Sequence, residues 1–170
     1  MRTFKILSVT LLITLVLVSG CRRGGRSETA GGGSQPSEIS AYGITLTKES
    51  PPDKVAELLI KGLDNGDTEL LKKLVAVKHE TAAVDAIYGK YGKKSSITPD
   101  KAASLAVAGW KATYSFFKKG ETTVTKTDLQ GETATINATA KGGTNLEERH
   151  IRINLVMEDG WWKVTAGIKE

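Results

Sequence analysis

An α+β domain, with N-terminal helices packed on a curved C-terminal antiparallel sheet of about four strands, is predicted by three features. The last fifty or so residues alternate apolar and polar side chains in strand-length runs. The middle of the chain repeats its apolar residues at helical spacing. The two patterns are segregated along the chain rather than interleaved, which separates α+β from a parallel α/β arrangement.

The sheet pattern is the clearest. Ala134, Ile136, Ala138 and Ala140 alternate with Thr133, Thr135, Asn137 and Thr139. Ile151, Ile153, Leu155 and Met157 alternate with His150, Arg152, Asn154 and Val156. Asp159-Gly160 then offers the two residues that tolerate positive φ in a tight type I′ hairpin. Trp162, Val164, Ala166 and Ile168 carry the apolar face back along the returning strand. This parity turns Trp161 outward and marks it as a candidate exposed contact; the alternative is that it caps the sheet edge or packs under Lys163. A weaker strand over residues 122–129 is joined to the next by Gln130-Gly131.

The helical region opens at Ser50-Pro51-Pro52-Asp53, where Ser50 is a cap candidate and Asp53 complements the positive helix end. Val55, Leu58, Leu59 and Leu63 follow at helical spacing. Asp64-Asn65-Gly66 ends that helix, and Asp67 caps a second carrying Leu70, Leu71, Leu74 and Val75. Residues 82–87 suit a short helix, but Gly89, Gly92 and the neighbouring lysines favour a loop over 78–96. Thr98-Pro99-Asp100 starts the longest helix, expected to end near Gly120. Ala103, Val107, Trp110, Tyr114 and Phe117 form its stripe, widened by Leu105, Ala112 and Phe116, so burial on more than one side is expected.

The first 45 residues lie outside this pattern. Arg2 and Lys5 precede an apolar run over 6–18, too short to span a bilayer, and Val18-Ser19-Gly20-Cys21 closes it with small residues. This stretch resembles a bacterial lipoprotein signal, which implies cleavage after residue 20 and lipid attachment to Cys21, the single cysteine of the 170-residue chain. Export to a bacterial membrane surface follows from that resemblance, with palmitate-type acylation as its chemistry. Residues 21–45 are rich in Gly, Ser and Arg and are expected to be a flexible tether, leaving 46–170 as the domain.

Loss of Arg2 and Lys5 would leave 22 basic against 19 acidic residues, a net charge of +3 rather than the +5 of the full chain. Arg22, Arg23 and Arg26 account for that excess, so the folded part is near neutral and no nucleic-acid partner is expected.

The order of these elements, with Ser50-Pro51-Pro52-Asp53-Lys54-Val55-Ala56, Gly66-Asp67 and Glu158-Asp159-Gly160-Trp161-Trp162-Lys163-Val164, resembles the nuclear-transport-factor-two-like superfamily. The likeness spans about residues 48–168 and is to small envelope lipoproteins of that group. It implies a cone-like domain, a curved sheet wrapped on a helix, often with a pocket at the open end. That fold hosts isomerases, dehydratases and cyclases as well as non-catalytic binding modules.

The enzymes of that group generally place Asp, Glu or His inside the cone as a base. Here the expected inward face is apolar, and the pocket or core lining is Trp110, Tyr114, Phe117, Ile153, Leu155 and Trp162. The expectation is therefore a non-catalytic binding domain for a partner protein or small apolar ligand, with no cofactor or metal. The alternative is an enzyme acting on a small apolar substrate. Glu148, His150 and Arg152 read as cross-strand ion pairing, since a metal would need more ligands than these. Tyr88, Lys90, Tyr91, Lys93 and Lys94 interleave aromatics with charge, a pattern that could stack single-stranded nucleic acid or rest on a membrane. An exported, anchored protein has little access to nucleic acid, and a solvated loop is the expectation.

Overall fold

The computed structural model describes residues 37–141 and 147–169. The leader, Cys21 and the first part of the expected tether lie outside them. Within them the order is β1 (Ile39–Ala41), β2 (Ile44–Leu46), α1 (Pro52–Asn65), α2 (Thr68–Leu74), α3 (Val77–Gly89), α4 (Pro99–Tyr114), β3 (Thr123–Gln130), β4 (Thr133–Lys141), β5 (Glu148–Glu158) and β6 (Trp161–Lys169). Strands β3-β4-β5-β6 form one antiparallel sheet in chain order, and β1 and β2 form a separate hairpin. The fold is α+β, with α1 and α4 packed on the four-stranded sheet.

The hairpin corrects the expected boundary of the tether. Tyr42 and Gly43, both at positive φ, make a tight turn, and Ile39 pairs with Leu46. Those two side chains join the core at 6% and 1% exposure, so ordered structure begins well before residue 46. Tyr42 Oη donates to Asp67 Oδ2 at 3.0 Å, tying the turn to the start of α2.

The α1–α2 pair forms where its punctuation stands. Gly66, at φ 67°, caps α1, and its N–H donates to Leu63 O. Asp67 Oδ1 accepts from Leu70 N at 3.0 Å as the cap of α2. Gly62 lets the helices approach, because a Cβ there would meet the Leu71 side chain at 3.0 Å. Ser50 does not cap α1; its Oγ accepts from Thr47 N at 2.9 Å and closes the preceding turn.

Residues 77–89 are helical rather than a loop, and none of them is buried. Gly89 and Gly92 mark the end of that helix and do not prevent it. Helix α4 stops at Tyr114, earlier than its apolar spacing suggests, and Phe117 reaches the core from the turn that follows. Leu105, and Phe116 just past the helix, stay 53% and 68% exposed, but α4 packs against β6, α3 and α2, so it is buried against more than one surface, as its broad apolar arc predicts.

In the sheet, Ile136, Ile153, Leu155 and Val164 lie at or below 1% exposure, the inward face read from alternation. Asp159 and Gly160 adopt φ 55° and 79° in the β5–β6 turn. Two irregularities break the ladders. One falls between Val124 and Lys126. In the other, Ile153 pairs with Ile168 but Leu155 with Val164, so extra residues on β6 loop outward. Ala166 lies in that bulge and is exposed, not part of the inward face.

Candidate functional site

The expected pocket lining is core. Trp110, Ile153 and Leu155 are 0%, 1% and 1% exposed, and Tyr114, Phe117 and Trp162 are 7%, 7% and 9%. All six belong to one apolar cluster together with residues of α1, α2 and β4. Trp110 also donates from Nε1 to Thr165 O at 3.1 Å, fixing α4 to the β6 bulge.

Trp161 is not an exposed contact. It is 2% exposed, more deeply buried than Trp162. Its ladder partner is Glu158, so its parity is the one alternation gives. What parity does not reveal is the junction between α2 and α3, which closes on the same residues. Lys163 Nζ stands 5.5 Å from the Trp161 ring centroid and donates to Lys73 O at 2.5 Å. Glu158 Oε2 accepts from Lys78 N and His79 N at 3.0 and 3.2 Å, at the start of α3. Burial pulls the Lys163 ammonium below its ordinary range, while Glu158 and Asp159 oppose that shift.

At the opposite edge of the sheet, a cleft of about 330 Å³ opens between α1, the β2 strand and β3. Ile44, Ile60 and Val124 give it apolar walls, and Glu57, Lys61 and Asp64 line it from α1. Asp64 is the residue that sequence reasoning took only as a helix stop. It continues the row Ala56–Ile60 at a spacing of four, so it turns toward the core and is 8% exposed.

Asp64 Oδ1 accepts from Tyr114 Oη at 2.9 Å and from Gly120 N at 3.1 Å. Tyr114 Oη also lies 2.8 Å from Thr122 Oγ1. A phenol has one proton, so with Tyr114 donating to Asp64 the Thr122 hydroxyl donates to the phenol oxygen. Burial pushes the Tyr114 phenol far above its ordinary range; the Thr122 contact works against that, and Asp64 adds to it. The phenol therefore stays protonated at neutral pH, as a fixed donor that holds the carboxylate. These bonds pin the end of α1 to the turn before β3, giving the cleft a rigid polar wall.

A second cleft, about 510 Å³, lies on the polar side of β3–β5, with Asp128, Thr135, Asn137, Arg152 and Asn154 in its lining. His150 is an exposed residue opposite Thr139 on that side. No group of three or more His, Cys, Asp or Glu suited to a metal occurs among the described residues.

No family model matches this chain, and no curated protein matches it. Among solved structures it is similar to one from Campylobacter jejuni described as a "putative NTF2-like transpeptidase". That similarity has a TM-score of 0.45 and 17% identity, covering 68% of this chain and 98% of the other.

Proposed function

We propose that this protein is an exported lipoprotein, held to a bacterial membrane through lipid on Cys21, whose domain is a non-catalytic binding module for a partner protein. The signal-like residues 2–21 support the anchor. The single observation that carries the rest is the packing of Trp110, Tyr114, Phe117, Ile153, Leu155 and Trp162 into one core, at the positions where a small apolar ligand would have to enter. Recognition then falls to the surface, and the cleft beside β3 suits it. That cleft has apolar walls, both signs of charge, and an adjacent strand with one neighbour only among the described residues.

The test uses the full-length protein in its own envelope, with a photo-crosslinking residue at Lys61 or Thr123 and, as control, at Thr133. A discrete protein adduct at the first two positions and none at the third supports the reading. Equal labelling at all three, or none, contradicts it. The anchor is tested separately: Cys21→Ser should abolish labelling by radioactive palmitate, and label retained in that variant refutes the lipid site.

One observation favours the enzyme alternative, a reaction on a small apolar substrate. Asp64 is a buried carboxylate that borders a cleft, as a general base does. Its Oδ1 is already engaged by two donors, which favours a structural role. If Asp64→Asn keeps partner crosslinking at Lys61 and stability falls, the role is structural.

A further inference from the structure

Helix α3 packs against α4 and β6 and is also held by polar bonds at its start. Lys78 N and His79 N donate to Glu158, and Glu80 Oε1 accepts from Ala166 N at 2.8 Å. None of its residues is buried. Its second half bears Ile87 and Tyr88 at 55% and 45% exposure, and Tyr91 just beyond it is 76% exposed. Contiguous exposed apolar side chains of this kind mark a surface that meets something else. Lys90, Lys93 and Lys94 stand among them, and from Ala86 to Pro99 there is no acidic residue. None of the three lysines is in an ion pair among the described residues.

Two features identify the occupant. The first is chemistry: tyrosines place a ring in the apolar boundary and a hydroxyl in the head-group layer, while lysines extend their ammonium groups to anionic head groups. The second is the chain itself. Only fifteen residues lie between Cys21 and Ser37, where the described structure begins; a flexible tether of that length would reach about 20 Å. A lipid on Cys21 would hold the domain at high local concentration beside the bilayer.

We propose that the second half of α3, with Tyr91, Lys93 and Lys94, docks on the anionic surface of the membrane that carries the protein. This rests on the lipid anchor proposed above. Helix α3 packs against α4 and β6, whereas the cleft lies at β3, the other edge of the sheet. Docking through α3 thus leaves the cleft free for a partner.

The experiment reconstitutes the full-length lipidated protein into vesicles of phosphatidylcholine, alone or mixed with phosphatidylglycerol. Amide hydrogen exchange is followed over residues 82–98, after flotation has shown the protein to be membrane-bound. Exchange there should slow about tenfold in the anionic vesicles relative to the neutral ones. The charge reversal Lys90→Glu with Lys93→Glu and Lys94→Glu should remove that slowing and leave β4 and β5 exchange unchanged, showing an intact fold. Equal exchange in the two vesicle types, or slowing that survives the charge reversal, overturns the proposal while the anchor stands. Failure to float overturns the anchor and this proposal with it.

Discussion

The two edges of the sheet are treated in opposite ways. At β6 the backbone is engaged from outside. Val164 O accepts from Ala76 N at 2.9 Å, Ala166 N donates to Glu80, and Thr165 O accepts from Trp110 Nε1. The α2–α3 junction and the α4 indole thereby seal that edge, where Trp161 is also buried, with Lys163 Nζ 5.5 Å from its ring centroid. Among the described residues, β3 pairs with β4 alone. It carries an irregularity near Thr125 and an exposed Lys126–Asp128 ion pair at 3.0 Å, features that discourage pairing with another copy of the strand. A sealed edge teaches where stability is concentrated, and an open one where a partner can enter.

The largest effect should come from breaking the sealed side. Trp110→Ala removes a fully buried indole and its bond to the β6 bulge, and should cost about 3–5 kcal/mol in urea denaturation. Trp161→Ala should be comparably damaging, since that ring is 2% exposed. A near-neutral result for Trp161 would mean that the α2–α3 junction does not cover it.

On the open side, Tyr114→Phe deprives Asp64 of a donor in a buried setting and should cost about 1–3 kcal/mol. The same variant has a pH signature. The folded phenol titrates above its ordinary 10.0, so its contribution is intact below that pH and is lost as pH rises beyond it, when only the unfolded chain ionises. The parent should therefore weaken in alkali through this group, and Tyr114→Phe should lack that component of the fall.

Smaller still, Glu80→Ala should cost about 1 kcal/mol and raise amide exchange selectively in α3, since it removes a pin from a helix with no fully buried residue. The weakest prediction concerns Glu121, which Lys118 and Lys141 hold below the usual carboxylate range. A lowered carboxyl contributes above its unfolded pKa of 4.5, and that contribution disappears as pH falls through the folded value. Acid titration of stability should show a slight loss that Glu121→Gln abolishes.

The sheet, its Asp159-Gly160 turn, the cap Asp67 and the helix start at Thr98-Pro99-Asp100 were legible because each depends on neighbours in sequence. The remainder depends on contacts between residues far apart. Strands β1 and β2 have three residues each, too few for a period to emerge from a Gly- and Ser-rich context. Helix α3 lacks a buried stripe, so its apolar spacing carries little signal. Ala166 leaves the inward face because a bulge resets the ladder, and alternation cannot anticipate a bulge. Asp64 looked like a helix stop, and only its spacing of four from Ile60 hinted at burial among Tyr114 and Gly120.

Residue-resolved amide exchange on the full-length protein addresses the difference between the edges most directly. The amides of Ala76 and Ala166 should exchange slowly, as bonded groups at a sealed edge, whereas the outward amides of β3 should exchange fast. Addition of the partner captured at Lys61 should slow the β3 amides and leave Ala76 and Ala166 as they were. Fast exchange at Ala76 and Ala166 with protection along the outer side of β3 in the isolated protein would contradict the account.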